Sequence, residues 1–139
     1  MIILDTNVLS ALMQSVPEPK VIHWLDNQPA ESIWITSITL FETRFGLALL
    51  PKGKRRTALE KAFAELMDAD LGNRVLDFDG AAATEAAVLA ARRQKAGTPV
   101  DIRDTQIAGI AVARRASLAT RNRRHFADAG IVLVDPWGK

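Results

Sequence analysis

Short apolar runs alternate along the chain with longer segments in which apolar residues recur every three to four positions. The first pattern is typical of buried strands, and the second is typical of amphipathic helices. The predicted strands are residues 2–4, 33–36, 75–78, 118–120 and 131–134. The predicted helices are residues 7–14, 19–27, 38–50, 54–71, 81–95 and 102–116.

Strands that alternate with helices in this way indicate βαβ units. We therefore expect an α/β fold, a three-layer α/β/α sandwich around a central, mainly parallel five-stranded sheet. The strands are apolar almost throughout, which suits a sheet covered by helices on both faces. No repeat or long linker interrupts the pattern, so residues 1–139 are predicted to form a single domain.

The composition narrows the class of protein. The chain has 139 residues, of which 48% are hydrophobic and 24% are charged, as is ordinary for a globular domain. It has no cysteine, which excludes a disulfide framework and thiolate metal sites and fits a reducing compartment. No apolar run approaches the roughly 20 residues of a membrane span. We expect a cytoplasmic protein.

Two polar residues stand at the ends of predicted strands. Asp5 follows the first strand, and Asn122 lies just past the fourth. The carboxyl ends of parallel strands meet at one edge of a sheet, where functional groups gather, so both residues are candidates for a site there. An aspartate after a strand can equally be the N-cap of the next helix, and Asn122 can be a loop residue that caps a short helix.

Glu42 is a candidate because of its position within a helix. The apolar residues at −4, +3 and +7 from it are Ile38, Phe45 and Leu49. This spacing places Glu42 on the apolar stripe, where an ionised carboxylate is costly unless a cation or hydrogen-bond donors compensate it. The alternative is an ion pair with Arg44 or Arg103.

Asp104 repeats the pattern near the start of the last helix. The residues at +3, +4 and +7 from it are Ile107, Ala108 and Ala111. Asp104 is therefore predicted to lie on the packing face of its helix. Alternatively, it supports the first turn of that helix, with Asp101 as the cap.

Carboxylates that converge on one crevice repel each other, and a divalent cation is the usual reason for such an arrangement. An oxygen-only donor set suits Mg²⁺ or Mn²⁺ rather than zinc, and Mg²⁺ held by carboxylates is typical of phosphoryl chemistry. His23 and His125 have no metal-ligand spacing. Basic clusters are spread along the chain, and one of them, Arg121, Arg123 and Arg124, brackets Asn122. Positive charge there can contact the phosphates of RNA, although a basic run can also be only a solvated surface.

Four motifs, in order, resemble those of one known family. They are "ILDTNVLS", "SITLFETRFGLALL", "RDTQIAGIAVA" and "LATRNRRHF", and the chain closes with "VDPW". Together they are similar to the motifs of PIN-domain ribonucleases, in particular the VapC and FitB branch, the toxins of bacterial type II toxin–antitoxin systems. The resemblance runs the whole length of the chain.

The resemblance implies a site and partners. It implies that Asp5, Glu42, Asp104 and Asn122 bind Mg²⁺ or Mn²⁺, with Thr6 and Thr120 as supporting hydroxyls. Many relatives carry Asp at the position of Asn122, and an amide can bind a metal through its carbonyl oxygen but brings no charge. The implied partners are an RNA substrate, an antitoxin protein and a second copy of the chain in a homodimer.

The sequence therefore predicts a Mg²⁺-dependent endoribonuclease that leaves a 5′-phosphate and a 3′-hydroxyl. Two alternatives remain. The first is a catalytically inactive PIN-like module that binds RNA or regulates. The second is a receiver-type phosphoacceptor domain, in which Asp77 or Asp79 would be phosphorylated; the absence of an acidic pair after the first strand argues against it.

Overall fold

Five short strands form one parallel sheet in the computed structural model, which describes residues 1–138. The strands are β1 (Ile2–Leu4), β2 (Ile33–Thr36), β3 (Val75–Leu76), β4 (Ser117–Ala119) and β5 (Leu133–Val134). Their order in the sheet is β3-β2-β1-β4-β5, and all four pairings are parallel. In the central strand, Ile2 stands opposite Ile33 on one side and Ser117 on the other.

Six α-helices connect the strands within residues 1–138. They are α1 (Thr6–Met13), α2 (Pro19–Asp26), α3 (Ser37–Leu49), α4 (Lys54–Glu65), α5 (Gly80–Lys95) and α6 (Ile102–Arg114). Three shorter helical turns are 3-10 turns at Ala30–Ser32 and Arg123–Phe126 and a π turn at Leu66–Asp70. The helix predicted over residues 54–71 therefore ends at Glu65 and widens into the π turn. No helix among residues 1–138 is long and apolar enough to cross a membrane.

Helices cover both faces of the sheet, which confirms the predicted three-layer α/β/α sandwich. Successive side chains of a strand point to opposite faces. In β1, Leu4 packs with Val8, Leu9 and Phe63 on one face. Ile3 belongs to the other cluster, whose buried residues include Leu89, Ile107, Ile110, Leu118 and Phe126 from α5, α6, β4 and the second 3-10 turn.

Helices α5 and α6 pack closely because Gly109 has no side chain. A Cβ at this position would lie 2.5 Å from the carbonyl oxygen of Ala82 and 2.7 Å from the Cβ of Ala86. Such distances are well inside van der Waals contact, so the glycine sets the approach of the two helices. The same packing fixes the first turn of α6, which carries Asp104.

The connections reverse direction at β1. The chain runs outward from β1 to β2 and β3, then returns to place β4 and β5 on the other side of β1. A crevice at the carboxyl ends of β1 and β4 is therefore the expected ligand site of this topology. The order also differs from the 2-1-3-4-5 order of receiver domains. Asp79 is the N-cap of α5, where its side chain accepts from the Ala82 N–H, and the strand order does not support the receiver alternative.

Candidate active site

Asp5 is buried at the point where β1 meets α1, and only 4% of its surface is exposed. One carboxylate oxygen accepts a hydrogen bond from the Thr6 backbone N–H at 2.8 Å. The other accepts from the Thr120 hydroxyl at 2.7 Å and from the Asn7 amide at 3.3 Å. Asp5 is thus the N-cap of α1, one of the two roles predicted for it, and it is also fixed to the end of β4.

The electrostatic surroundings of Asp5 disfavour its charge. The pKa of Asp5 is raised to about 6, chiefly by burial; the hydrogen bonds from Thr120 and Thr6 oppose the rise, and the negative charges of Asp104 and Glu42 add to it. Asp104 and Glu42 are thus close enough for their charges to act on Asp5. A cation placed among them would favour ionised Asp5.

Glu42 reaches the crevice from α3. Its Oε1 accepts from the Thr6 hydroxyl at 2.8 Å, and its Oε2 lies 3.5 Å from the Arg103 guanidinium. Of the two predicted ion-pair partners, Arg103 is therefore the one that Glu42 contacts, and Arg44 instead lies over the Phe63 ring.

The apolar stripe that placed Glu42 on a buried face is not buried. Phe45 is 45% exposed and Leu49 is 68% exposed, whereas the buried residues of α3 are Thr39 and Leu47. The prediction of the buried face of α3 was therefore wrong for Phe45 and Leu49, which are exposed, whereas Ile38 is partly buried and packs against the core. Glu42 lies at the border between the crevice and this exposed stripe.

Asp104 lies at the first turn of α6, and its packing face is as predicted. The residues on that face, Ile107, Ala108 and Ala111, are all buried. Its backbone N–H donates to Asp101, which caps the helix, at 3.0 Å. Burial and the charge of Asp101 raise the pKa of Asp104, while contacts with His125 and Arg93 oppose the rise.

His125 is a residue that sequence reasoning missed. Its Nδ1 lies 3.0 Å from Oδ2 of Asp104. The two residues are 21 positions apart, and the folded chain brings them together by placing the second 3-10 turn beside α6. His125 has no metal-ligand spacing in the sequence, so no local pattern could reveal the contact.

The loop after β4 is joined to α1 by side-chain hydrogen bonds. The Thr120 hydroxyl accepts from the Asn122 backbone N–H at 3.0 Å, and Asn7 accepts from the Arg121 backbone N–H at 3.2 Å. Asn7 thus reaches beyond its own turn and joins β1 to the loop, a role that the sequence did not reveal. Asn122 itself is exposed, and among residues 1–138 its side-chain amide makes no hydrogen bond.

Arg93 forms hydrogen bonds to the segment that follows this loop. It is only 5% exposed and donates to both Asp128 carboxylate oxygens, at 2.7 and 2.9 Å. It also donates to the His125 carbonyl at 2.7 Å and the Thr105 hydroxyl at 3.0 Å. The guanidinium keeps the pKa of Asp128 below its usual range. This buried cation therefore fixes the turn that carries His125.

The donor set suits a magnesium site of the open kind. Within residues 1–138, no three His, Asp or Glu side chains lie close enough together to hold a metal ion by themselves, and Asp5, Glu42 and Asp104 each contact a different neighbour. Mg²⁺ usually binds one or two protein carboxylates and completes its shell with water and phosphate oxygens. Asp5, Glu42 and Asp104 offer such oxygen ligands at one edge of the sheet. A cleft of about 660 Å³ is lined in part by Asp104, Arg124 and His125, and Thr6 and Glu42 line a separate cleft of about 260 Å³.

The three predicted RNA-binding arginines have different surroundings. Arg123 and Arg124 are exposed on the second 3-10 turn. Arg121 lies over the ring of Trp137, with 4.6 Å between its guanidinium carbon and the ring centroid. Only Arg121 follows Thr120 directly, and the Thr120 hydroxyl donates to the buried Asp5, whereas Arg124 lines the same cleft as Asp104.

Comparison with known proteins identifies similar chains over the full length. The PIN domain family matches residues 2–132. The VapC ribonuclease Y4jK of Sinorhizobium fredii is 39% identical over 137 residues, which are 99% of this chain and 98% of that protein. The toxin FitB of Neisseria gonorrhoeae is 31% identical over 137 residues, 99% of each chain. A solved structure of FitAB bound to a DNA fragment superposes with a TM-score of 0.88 at 31% identity, covering 100% of this chain and 97% of that one.

Proposed function

Because this chain belongs to the PIN domain family, we propose that it is a Mg²⁺-dependent endoribonuclease and the toxin of a type II toxin–antitoxin pair. The observation that carries the proposal is the buried Asp5 at the switch point of the sheet, within electrostatic range of Glu42 and Asp104. Carboxylates that repel one another lower the stability of the folded protein. A cation that binds to them would offset the repulsion and account for the arrangement. The similar VapC protein of Sinorhizobium fredii is named a ribonuclease, which supports RNA as the substrate.

Asp5 and Asp104 would be the main ligands of Mg²⁺ or Mn²⁺, with Glu42 and Asn122 completing the protein side of the site. A bound Mg²⁺ supplies two things: it lowers the pKa of a water molecule and it neutralises charge that develops on the phosphodiester. Thr120 and the Thr6 backbone N–H orient the Asp5 carboxylate. The Thr6 hydroxyl orients Glu42 in the same way.

Arg121, Arg123 and Arg124 would hold the RNA strand beside these carboxylates. They cannot bind a metal cation, but they can neutralise phosphates on either side of the bond that is cut. Hydrolysis by water at the scissile phosphate would leave a 5′-phosphate and a 3′-hydroxyl. In this proposal the carboxylates act at the scissile phosphate, and the arginines contact the phosphates next to it.

An antitoxin protein is the proposed inhibitor. The similar protein of Neisseria gonorrhoeae is named a toxin, and the similar solved structure is that of FitAB bound to DNA. The alternative, an inactive module that keeps the fold, does not explain why three carboxylates are kept together at one edge.

A homodimer is proposed through an exposed surface that we call the α3 patch, formed by Phe41, Phe45, Leu49, Ile102 and Arg103. Phe41 and Phe45 stack with 5.8 Å between ring centroids, and Arg103 lies over both rings at 5.5 and 5.8 Å. The apolar members are 45–68% exposed. A two-fold axis brings the same patch against itself, and here Glu42 and Arg103 at its border give each copy both signs of charge. Light scattering should show a dimer that Phe45→Asp dissociates. Val88→Asp, at an exposed apolar site on α5, should leave the dimer intact. A monomeric wild-type protein contradicts this part of the proposal.

Cleavage of a fluorescent RNA tests the activity. We expect wild-type protein to cleave in Mg²⁺ and to stop when the metal is chelated, and the products should carry 5′-phosphates. Glu42→Gln should lower the rate because it removes a ligand charge, whereas Glu65→Gln, an exposed helical glutamate, should not. Cleavage that persists in chelator would contradict a metal-dependent mechanism.

A further inference from the structure

Arg121 and Trp137 form a cation–π pair beside the loop that follows β4. The Arg121 guanidinium lies over the indole at 4.6 Å, a cation–π arrangement that fixes a side chain otherwise free to rotate. Its backbone is fixed as well, because its N–H donates to Asn7 at 3.2 Å. By contrast, Arg123 makes no ion pair, side-chain hydrogen bond or cation–π contact among residues 1–138.

The indole is itself held in place. Trp137 packs against the core cluster that contains Val8 and Leu12, so it is only partly exposed. Its backbone N–H donates to the Asp135 carboxylate at 2.8 Å, which closes the turn after β5. One face of the guanidinium is therefore covered by a fixed aromatic wall.

The pair lies close to the carboxylates. Asn7 accepts from the Arg121 N–H and donates to Asp5 at 3.3 Å, so one side chain joins the two. An RNA strand whose scissile phosphate sits at Asp5 would have a neighbouring nucleotide at Arg121.

We propose that Arg121 and Trp137 form a stacking platform for one unpaired nucleobase of a single-stranded RNA, next to the phosphate that is cut. This rests on the proposed function. Proteins bind single strands by stacking bases on aromatic rings and guanidinium planes. Stacking tolerates any base, because every base has a π face. The edge of the same guanidinium still offers N–H donors to a phosphate.

A charge-preserving substitution separates stacking from phosphate contact. Arg121→Lys keeps the positive charge and removes the planar group, and Arg121→Gln removes both. Arg123→Lys is the matched control on the neighbouring exposed arginine. The probes are a ten-nucleotide oligouridine and the same oligomer with every base replaced by an abasic ribose spacer. Affinities are measured in Ca²⁺, without Mg²⁺, across a range of salt concentrations.

Wild-type protein should prefer the oligouridine over the abasic oligomer by roughly 5- to 100-fold, the range for one stacked base. Arg121→Lys should lose most of that preference with an unchanged salt slope, and Arg123→Lys should keep it. Trp137→Leu should lose the preference for oligouridine as well, and a thermal melt shows whether this variant is folded. If Trp137→Leu is unfolded, the test of the platform rests on Arg121→Lys.

An Arg121→Lys variant that keeps the full preference overturns the platform. So does a loss seen only with Arg121→Gln and accompanied by a lower salt slope, which would make Arg121 a phosphate contact alone. If wild-type protein binds neither oligomer, the platform and the proposed ribonuclease function both fail. If it binds and cleaves RNA but Arg121→Lys changes nothing, only the platform fails.

Discussion

Asp5→Asn should stabilise the metal-free protein at high pH and leave it unchanged at low pH. The substitution keeps the shape of the side chain, an acceptor for the Thr6 N–H and a partner for Thr120, but removes the charge. In the folded wild type the pKa of Asp5 is raised from 3.8 to about 6. This difference of about 2 pKa units corresponds to roughly 3 kcal/mol between the two protonation states.

The sign follows from proton linkage. Below about pH 4 Asp5 is neutral in both the folded and unfolded wild type, so its charge costs nothing. Between about pH 4 and pH 6 the unfolded chain has lost the proton while the folded chain still holds it, so the free energy of unfolding falls, by up to roughly 3 kcal/mol once the pH is above 6. Asp5→Asn has no such loss, so between about pH 4 and pH 7 its free energy of unfolding should become increasingly higher than that of the wild type.

Urea unfolding in chelator at one-unit steps from pH 4 to pH 8 measures this difference. Asp77→Asn, an exposed aspartate just past β3, is the control, and its difference from wild type should stay flat across the range. Saturating Mg²⁺ should then stabilise wild type and not Asp5→Asn, because a ligand that binds only the folded state adds to stability. A difference that does not grow with pH would refute the account of Asp5 as a carboxylate held against its own charge.

Three further changes test other parts of the structure. Gly109→Ala should lower the free energy of unfolding by about 1–3 kcal/mol in a urea melt, because the new methyl group meets Ala82 and Ala86, whereas Ala113→Gly on the same helix should cost about 1 kcal/mol only from propensity. Asn122→Asp should tighten Mg²⁺ binding in a calorimetric titration, since it adds a charged ligand; unchanged affinity would mean that residue 122 does not face the metal. Arg93→Met should cost about 2 kcal/mol in a urea melt and slow cleavage, because it releases the turn that carries His125; a variant of wild-type stability would contradict that role.

The sequence predicted the layers and the order of elements because burial has a strong local signature. The bounds of β1 and β2 agree with the prediction to the residue, since both strands are covered on both faces and paired. Strands β3 and β5 are shorter than predicted because each lies at an edge of the sheet and pairs on one side only. The helix predicted over residues 54–71 continues in its apolar spacing through the π turn, so the pattern could not show where the helix widens.

The sequence could predict the site residues that lie at strand ends. It could not predict the contacts that form only when distant segments pack together. Asp5 follows from its place after β1. The contact of His125 with Asp104 needs the folded loop, and so does the link that Asn7 makes to Thr120. The buried face of α3 was predicted wrongly because apolar residues also occur on protein surfaces. An exposed apolar stripe has the same spacing along a helix as a stripe that packs against the core.

The central claim is that Asp5 and Asp104 hold the metal that drives RNA cleavage. The most direct measurement is the rate of RNA cleavage in Mg²⁺ by wild type, Asp5→Ala and Asp104→Ala, each with a thermal melt in chelator. The account predicts that both variants lose cleavage to background while they remain folded, because each substitution removes a ligand and relieves repulsion. A folded variant that cleaves RNA at the wild-type rate would contradict it.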